Sequence, residues 1–214
     1  MTTNLPLATE IIPMVLQLQP AMSTTGYAYA LTDDQFYEFC QLNRDFHIER
    51  NAVGELVIMP PTGSETDERN FNLVGQLWVW TKLDGTGVGF GSSGGFTLPN
   101  GAVRSPDGAW IKRDRWEAIP LELRKKFAPI CPEFVIELRS QSVVYRRRHR
   151  LQVLQEKMQE YIDNGTQLGW LIDRKQDRVF IYHPNIAVEV LDNPKTLCGE
   201  TLLPGFVLDL SQVW

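Results

Sequence analysis

The chain has 214 residues and a formal net charge of −5, with 43% hydrophobic, 10% aromatic and 22% charged residues. That balance excludes a disordered chain and a broadly basic nucleic-acid binder, and a chain this long buries about 70% of its unfolded surface without a metal or disulfide staple. The three cysteines, Cys40, Cys131 and Cys198, are widely spaced with no CxxC pair, which excludes a cysteine-rich zinc site and predicts reduced thiols.

Residues 1–30 carry Pro6, Pro13 and Pro20, few charges and no clean period, and read as an N-terminal arm, poorly ordered or strapped across the surface. They lack the basic start and unbroken apolar core of a signal peptide, and no apolar run in the chain reaches the ~20 residues of a membrane helix. A cytoplasmic protein is expected, with residues 31–214 as a single domain. Thr32-Asp33-Asp34 before Phe36, Tyr37, Phe39 and Cys40 predicts a capped short helix. Phe46–Arg50 and Glu55–Met59 alternate and are joined by Asn51-Ala52-Val53-Gly54, a hairpin signal. A helix follows from about Ser64 to Thr81, with Phe71, Val74, Leu77 and Trp78 at helical spacing.

Residues 84–101 are glycine-rich with short strand-like pieces at Val88–Phe90 and Phe96–Leu98. Asp107–Arg113 reads as a strand and Leu121–Phe127 as a short helix. Phe134–Leu138 is apolar on both faces, as a central strand requires. A long helix covers His149 to Asp163 and stops at Asn164-Gly165. Leu168–Ile172 and Val179–Tyr182 form a hairpin, Val188–Leu191 a short strand, and Pro204-Gly205 precedes a last strand-like piece. The order predicts a mixed α/β fold, a mixed central β-sheet flanked by helices, rather than regular βαβ alternation.

Two well-known motifs match in the glycine run. Gly89-Phe90-Gly91-Ser92-Ser93-Gly94 fits GxGxxG, and Gly91-Ser92-Ser93-Gly94-Gly95 fits GxSxG. Both chemistries need a helix directly after the loop, and Phe96-Thr97-Leu98-Pro99 reads as strand and turn. A serine hydrolase is therefore a distant alternative, its only well-placed downstream histidine being His183.

A third constellation carries more chemistry. Asp107 opens one strand and Glu137 lies near the end of a central one, on the face of Val135. A buried carboxylate needs a cation, which leaves two readings open: a salt bridge without chemistry, or hard oxygen ligands for Mg2+. Stepping around the helix 149–163 from Leu151, Lys157 falls at about 240°, inside the arc of Val153, Leu154, Met158 and Tyr161. An Asp, a Glu and an inward Lys are the set a metal-dependent phosphodiesterase requires. Arg146, Arg147, Arg148 and Arg150 flank His149 in one basic block, either a solvated helix face or a phosphate contact.

At these residues the chain resembles the Uma family of restriction-endonuclease-like proteins, which carry the PD-(D/E)XK nuclease fold and abound in photosynthetic bacteria. The resemblance runs from about Leu31 to Trp214 and rests on the stretches GSETDERNFNLVGQLWVW, LPNGAVRSPDGAWI, CPEFVIELRSQS, LQEKMQEYIDNGTQLGWLID and LPGFVLDLSQVW. It implies a DNA endonuclease using Mg2+ or Mn2+. The family's Pro-Asp falls on Pro106-Asp107 and its second acid on Glu137. The lysine two residues later is replaced by Arg139, and the resemblance implies that Lys157 supplies it from the next helix. A glutamate opening the early helix falls on Glu65, implied to bind a second ion or orient water. Asp107, Glu137 and the Leu138 carbonyl would hold the metal, and Arg139 would stabilise the phosphate or pair with a carboxylate. The family's Ser-Pro-Ser-Asp is replaced by a longer Ser140–Arg150 link, which keeps a second reading open: a catalytically impaired nucleic-acid-binding module of the same fold. DNA is the expected partner, with no membrane contact and with a homodimer as an open option.

Overall fold

The computed structural model describes residues 31–59, 61–139 and 149–214, the side chains of His149 and Arg150 excepted. The N-terminal arm, the Ser140–Arg150 link and the four arginines of the basic block therefore lie outside the described residues or have no described side chain. Helix α1 (Asp33–Leu42) starts as a capping box: the Thr32 hydroxyl accepts from the Gln35 amide, and the Gln35 side chain accepts from the Thr32 amide. Strands β1 (His47–Arg50) and β2 (Leu56–Met59) form the expected antiparallel hairpin, and helix α2 (Ser64–Asp84) runs three residues further than its periodicity suggests, ending at Gly85 with φ +72°. The glycine run folds into β3 (Gly87–Gly91), a turn, and β4 (Phe96–Thr97), with no helix after it. Both loop motifs therefore lack the helix N-terminus their chemistry depends on.

The chain continues through β5 (Val103–Arg104), β6 (Gly108–Lys112), α3 (Arg113–Ala118), α4 (Leu121–Arg124), β7 (Phe134–Arg139) and α5 (His149–Asp163). It closes with β8 (Leu168–Asp173), β9 (Arg178–Tyr182), β10 (Glu189–Asp192), β11 (Thr196–Cys198), β12 (Val207–Asp209) and a 3-10 turn at Leu210–Gln212. The central sheet has six strands in the order β10-β9-β8-β7-β6-β3. Only β7 and β8 pair in parallel, and α5 is their crossover; the other neighbours are antiparallel. The architecture is the mixed α/β core expected of a restriction-endonuclease-like protein.

Period-two alternation splits the sheet into two faces. Phe134, Ile136 and Leu138 of β7 join Trp110, Leu168, Trp170 and Ile172 under α2, where Leu73 and Leu77 and the C-terminal residues Leu197, Phe206, Leu208 and Val213 complete the layer. Val135 of β7 faces the other way, with Ala109, Ile111, Leu171 and the α5 residues Met158, Tyr161 and Ile162. Glu137 and Asp107 have the parity of Val135 and Ala109, so both carboxylates belong to the α5 side. A second sheet, β2-β1-β5-β4, packs Ile48 and Val103 against Phe36 and Phe39 of α1. Three helical residues depart from the periodicity. Phe71 and Trp78 of α2 are 77% and 57% exposed, because Leu73, Leu77 and Thr81 form the buried seam instead. Val153 of α5 is likewise exposed.

Candidate active site

Four elements bring charged side chains to one point on the α5 side of the sheet. The Asp107 carboxylate stands at the entry to β6. Its Oδ2 accepts from the Leu138 amide at 2.7 Å, and its Oδ1 accepts from the Asn70 side chain of α2 at 3.1 Å. That bond fixes Asp107 beside Glu137, the residue before Leu138 on β7. Lys157, on the second half of α5, reaches inward and is 9% exposed. Its Nζ lies 2.7 Å from Glu137 Oε1 and 2.7 Å from Glu49 Oε1. The lysine therefore meets the acids rather than solvent. Tyr161, one turn further along α5, donates to Glu137 Oε1 at 3.4 Å.

Glu49 belongs to this site and was not singled out from the sequence. It lies on β1 between Ile48 and Arg50, and its only sequence signal is a carboxylate on an alternating strand. The structure buries it to 2% exposure. Besides Lys157 it accepts from Arg104 Nη1 at 3.1 Å and from the Ser105 amide at 2.9 Å. Arg104, from β5, also holds Glu160 of α5 at 2.6 Å. His47 shares the Glu49 face of β1, its Nε2 4.0 Å from Glu49 Oε1.

Burial and charge set the protonation of the cluster. Desolvation raises the Asp107 pKa, opposed by the Leu138 amide and Lys157. Glu137 is pushed up to about 8, first by burial and then by repulsion from Asp107 and Glu49, against the pull of Lys157. Burial works against Glu49 too, but Lys157 and Arg104 overcome it and hold its carboxyl below the usual range. For Lys157 burial favours the neutral amine, and the two carboxylates more than offset it, so its pKa rises. Burial lowers His47, which stays a neutral imidazole near neutral pH.

The other residues named from the sequence stand elsewhere. Arg139 Nη1 is held by Asp173 Oδ2 at 2.6 Å, its direct neighbour across the β7–β8 ladder, and both side chains are buried. It pairs with a carboxylate, one of its two expected roles. Glu65, in the first turn of α2, is exposed and bonded to Arg174 Nη2 at 2.7 Å. The backbone of Leu138 lies at the centre of the cluster through its amide.

Two observations bear on a divalent cation. Among the described residues Lys157 and Arg104 are the cations paired with Glu49, Glu137 and Glu160, and burial and mutual repulsion keep Glu137 protonated up to about 8, so a divalent cation would supply the positive charge that full ionisation of Asp107 and Glu137 requires. Asn70 Oδ1, on the amide that holds Asp107, is buried without a hydrogen-bond partner, as a group facing coordinated water would be. The residues fit Mg2+ as two carboxylates and a backbone carbonyl. Among the described residues no group of three or more His, Cys, Asp or Glu side chains is arranged as a metal site.

A family model for Uma2, described as putative restriction endonuclease, matches residues 33–211. The chain belongs to the Uma2 family. A solved structure of a putative nuclease belonging to DUF820, from Anabaena variabilis, superimposes with a TM-score of 0.61 at 21% identity, covering 78% of this chain and 88% of that one. No curated protein matches. The family match spans both layers of the Uma2 chain, from α1 to the C-terminal turn, and takes in every residue of the acidic cluster.

Proposed function

We propose that this Uma2 chain is a Mg2+-dependent endonuclease that hydrolyses phosphodiester bonds of DNA. The observation that carries the reading is the convergence of Asp107, Glu137 and an inward Lys157 at one buried point. Asp107, Glu137 and the Leu138 carbonyl would hold the ion, which supplies positive charge against the phosphate and acidifies the attacking water. Lys157 acts as a fixed cation. Its raised pKa keeps the proton on Nζ, so it polarises rather than deprotonates, and two of its three donors are already committed to Glu49 and Glu137. The third is left for water or a phosphate oxygen. Glu49 and Arg104 set the position of Lys157. Arg139 supports the ladder beside Glu137 through Asp173, and Glu65 steadies the start of α2 through Arg174. Arg146, Arg147, Arg148 and Arg150 would add phosphate contacts.

A second reading is a nucleic-acid-binding module of the same fold without cleavage. It is favoured by Arg139, which stands where the family has its lysine and is committed to Asp173. Incubation of supercoiled plasmid with the protein and Mg2+ or Mn2+ separates the two. The enzyme nicks or linearises it and EDTA stops the reaction; retarded but intact plasmid under both ions supports the module.

A further inference from the structure

Helix α2 has three flanks, and the described residues cover two of them. Leu73, Leu77 and Thr81 face the sheet. On the next flank Gln76 exchanges two hydrogen bonds with the backbone of Asp209, and the Trp80 indole donates to the Pro204 carbonyl, so the C-terminal segment covers it. The third flank carries Phe71, Trp78, Val79 and Leu83, which are 77%, 57%, 52% and 83% exposed. An exposed group of large apolar side chains of this kind marks an interaction surface.

Its pattern identifies the partner. Stepping from Gly75, Glu68 lies at about 20°, Phe71 at about 320°, Trp78 at about 300°, Val79 at about 40° and Lys82 at about 340°, so Gly75 sits at the centre of the stripe. A Cβ at Gly75 would touch nothing within 4 Å, so among the described residues nothing packs against that point. Gly75 also divides the stripe into halves that complement each other. Under a twofold axis through Gly75 with the helices antiparallel, position 68 meets position 82 of the second copy, and 71 meets 79. Glu68 then faces Lys82, about 10.5 Å along the helix on either side of the axis, and Phe71 faces Val79. The same operation sets Trp78 against Asn72 and Leu83 against Asp67 at the margins, so the complementary pairs are Glu68 with Lys82 and Phe71 with Val79. Each exposed aromatic brings on the order of 100 Å2 or more. With Val79, Leu83 and the rim, the area approaches the roughly 800 Å2 per partner of a standard interface.

We propose that this chain self-associates through α2, two copies crossing antiparallel at Gly75. The missing side chain at the crossing lets the two backbones approach closely. Beside the stripe, a notch of about 180 Å3 between Trp78, Lys82 and Gly87–Gly89 runs along the open edge of β3, so a second copy also shields that sheet edge.

The test is the mass of the full chain in solution, by light scattering and sedimentation across the micromolar range. Wild type is a dimer. Gly75→Arg, which meets open space in the monomer, places two cations on the axis and gives a monomer with unchanged circular dichroism. Glu68→Lys and Lys82→Glu each weaken the dimer by about tenfold, and Glu68→Lys/Lys82→Glu together restore it, because the swapped pair is again opposite in charge. A wild-type monomer at tens of micromolar overturns the proposal, whether residues 1–30 or another protein then covers the stripe. So does a dimer that survives Gly75→Arg, or a charge swap that fails to restore it. None of these outcomes depends on nuclease activity.

Discussion

Lys157 is held between two carboxylates at 2.7 Å each, so its loss does more than remove a cation from chemistry. Lys157→Met leaves Glu49 and Glu137 facing each other in the interior, and breaking a buried pair from one side costs about 3–5 kcal/mol. Thermal unfolding should therefore show a lowered midpoint for Lys157→Met. Glu49→Gln/Lys157→Met should recover most of the loss, since Glu137 then has no ionised neighbour but Asp107. Equal midpoints for the single and double variants would show that Glu49 does not hold the lysine. Glu137 gives a pH prediction. An unfolded glutamate titrates near 4.5 and Glu137 in the fold near 8, so between those values the folded chain keeps a proton that the unfolded chain gives up. That contribution is full below about 4.5 and is lost as the pH rises through 8. Without metal, the protein should melt a few degrees lower at pH 8.5 than at pH 6. Glu137→Gln should flatten that slope, and Mg2+ should stabilise wild type more at the higher pH.

At the scale of elements, Asp107, Glu137 and Lys157 meet because three elements have fixed relative heights. The Leu138 amide ties the start of β6 to the end of β7, and α5 lies on β7 and β8 as their crossover. Gly169 of β8 lets α5 lie close: a Cβ there would come within 2.5 Å of the Met158 Cε and 3.5 Å of Val135. Gly169→Ala should displace Met158, the residue after Lys157, and lower cleavage more than stability; an unchanged rate would mean that α5 tolerates the shift. The β7–β8 ladder makes a separate prediction. Arg139→Ala leaves the buried Asp173 without its cation and with the Lys175 amide as donor, so it should destabilise by about 3 kcal/mol, and the readout is the urea midpoint. Arg139→Lys, which keeps a charge but loses the fork, should fall between the two.

For the whole molecule, the local signals were strong where one residue type has one job. Thr32, the Asn51–Gly54 turn, Asn164-Gly165 and the apolar run of β7 mark their elements because capping, turning and double-sided burial are local demands. Helical angle put Lys157 on the buried arc, although it put Val153 there too and Val153 is exposed. Glu49 was not legible, since a four-residue strand gives no hint that its face meets a helix more than 100 residues later. Phe71 and Trp78 misled for the opposite reason: helical spacing records that a stripe exists, and not whether the sheet covers it. The partners of Arg139 and Glu65 were also invisible, because Asp173 and Arg174 come from the end of β8, adjacent only after the sheet forms.

The proposed function requires that the Asp107–Glu137–Lys157 cluster cut DNA. The most direct measurement is the initial rate of Mg2+-dependent conversion of supercoiled plasmid by wild type and by Glu49→Gln/Lys157→Met, with Asp107→Asn as the metal-site control. The double variant removes the lysine without leaving Glu49 ionised beside Glu137, so loss of rate cannot be ascribed to unfolding if its melting midpoint stays near wild type. We predict EDTA-sensitive cleavage by wild type, and a fall of at least about 100-fold in both variants, the scale of one transition-state electrostatic contact. Wild-type rates in the double variant, or cleavage by wild type that survives EDTA, would contradict the account.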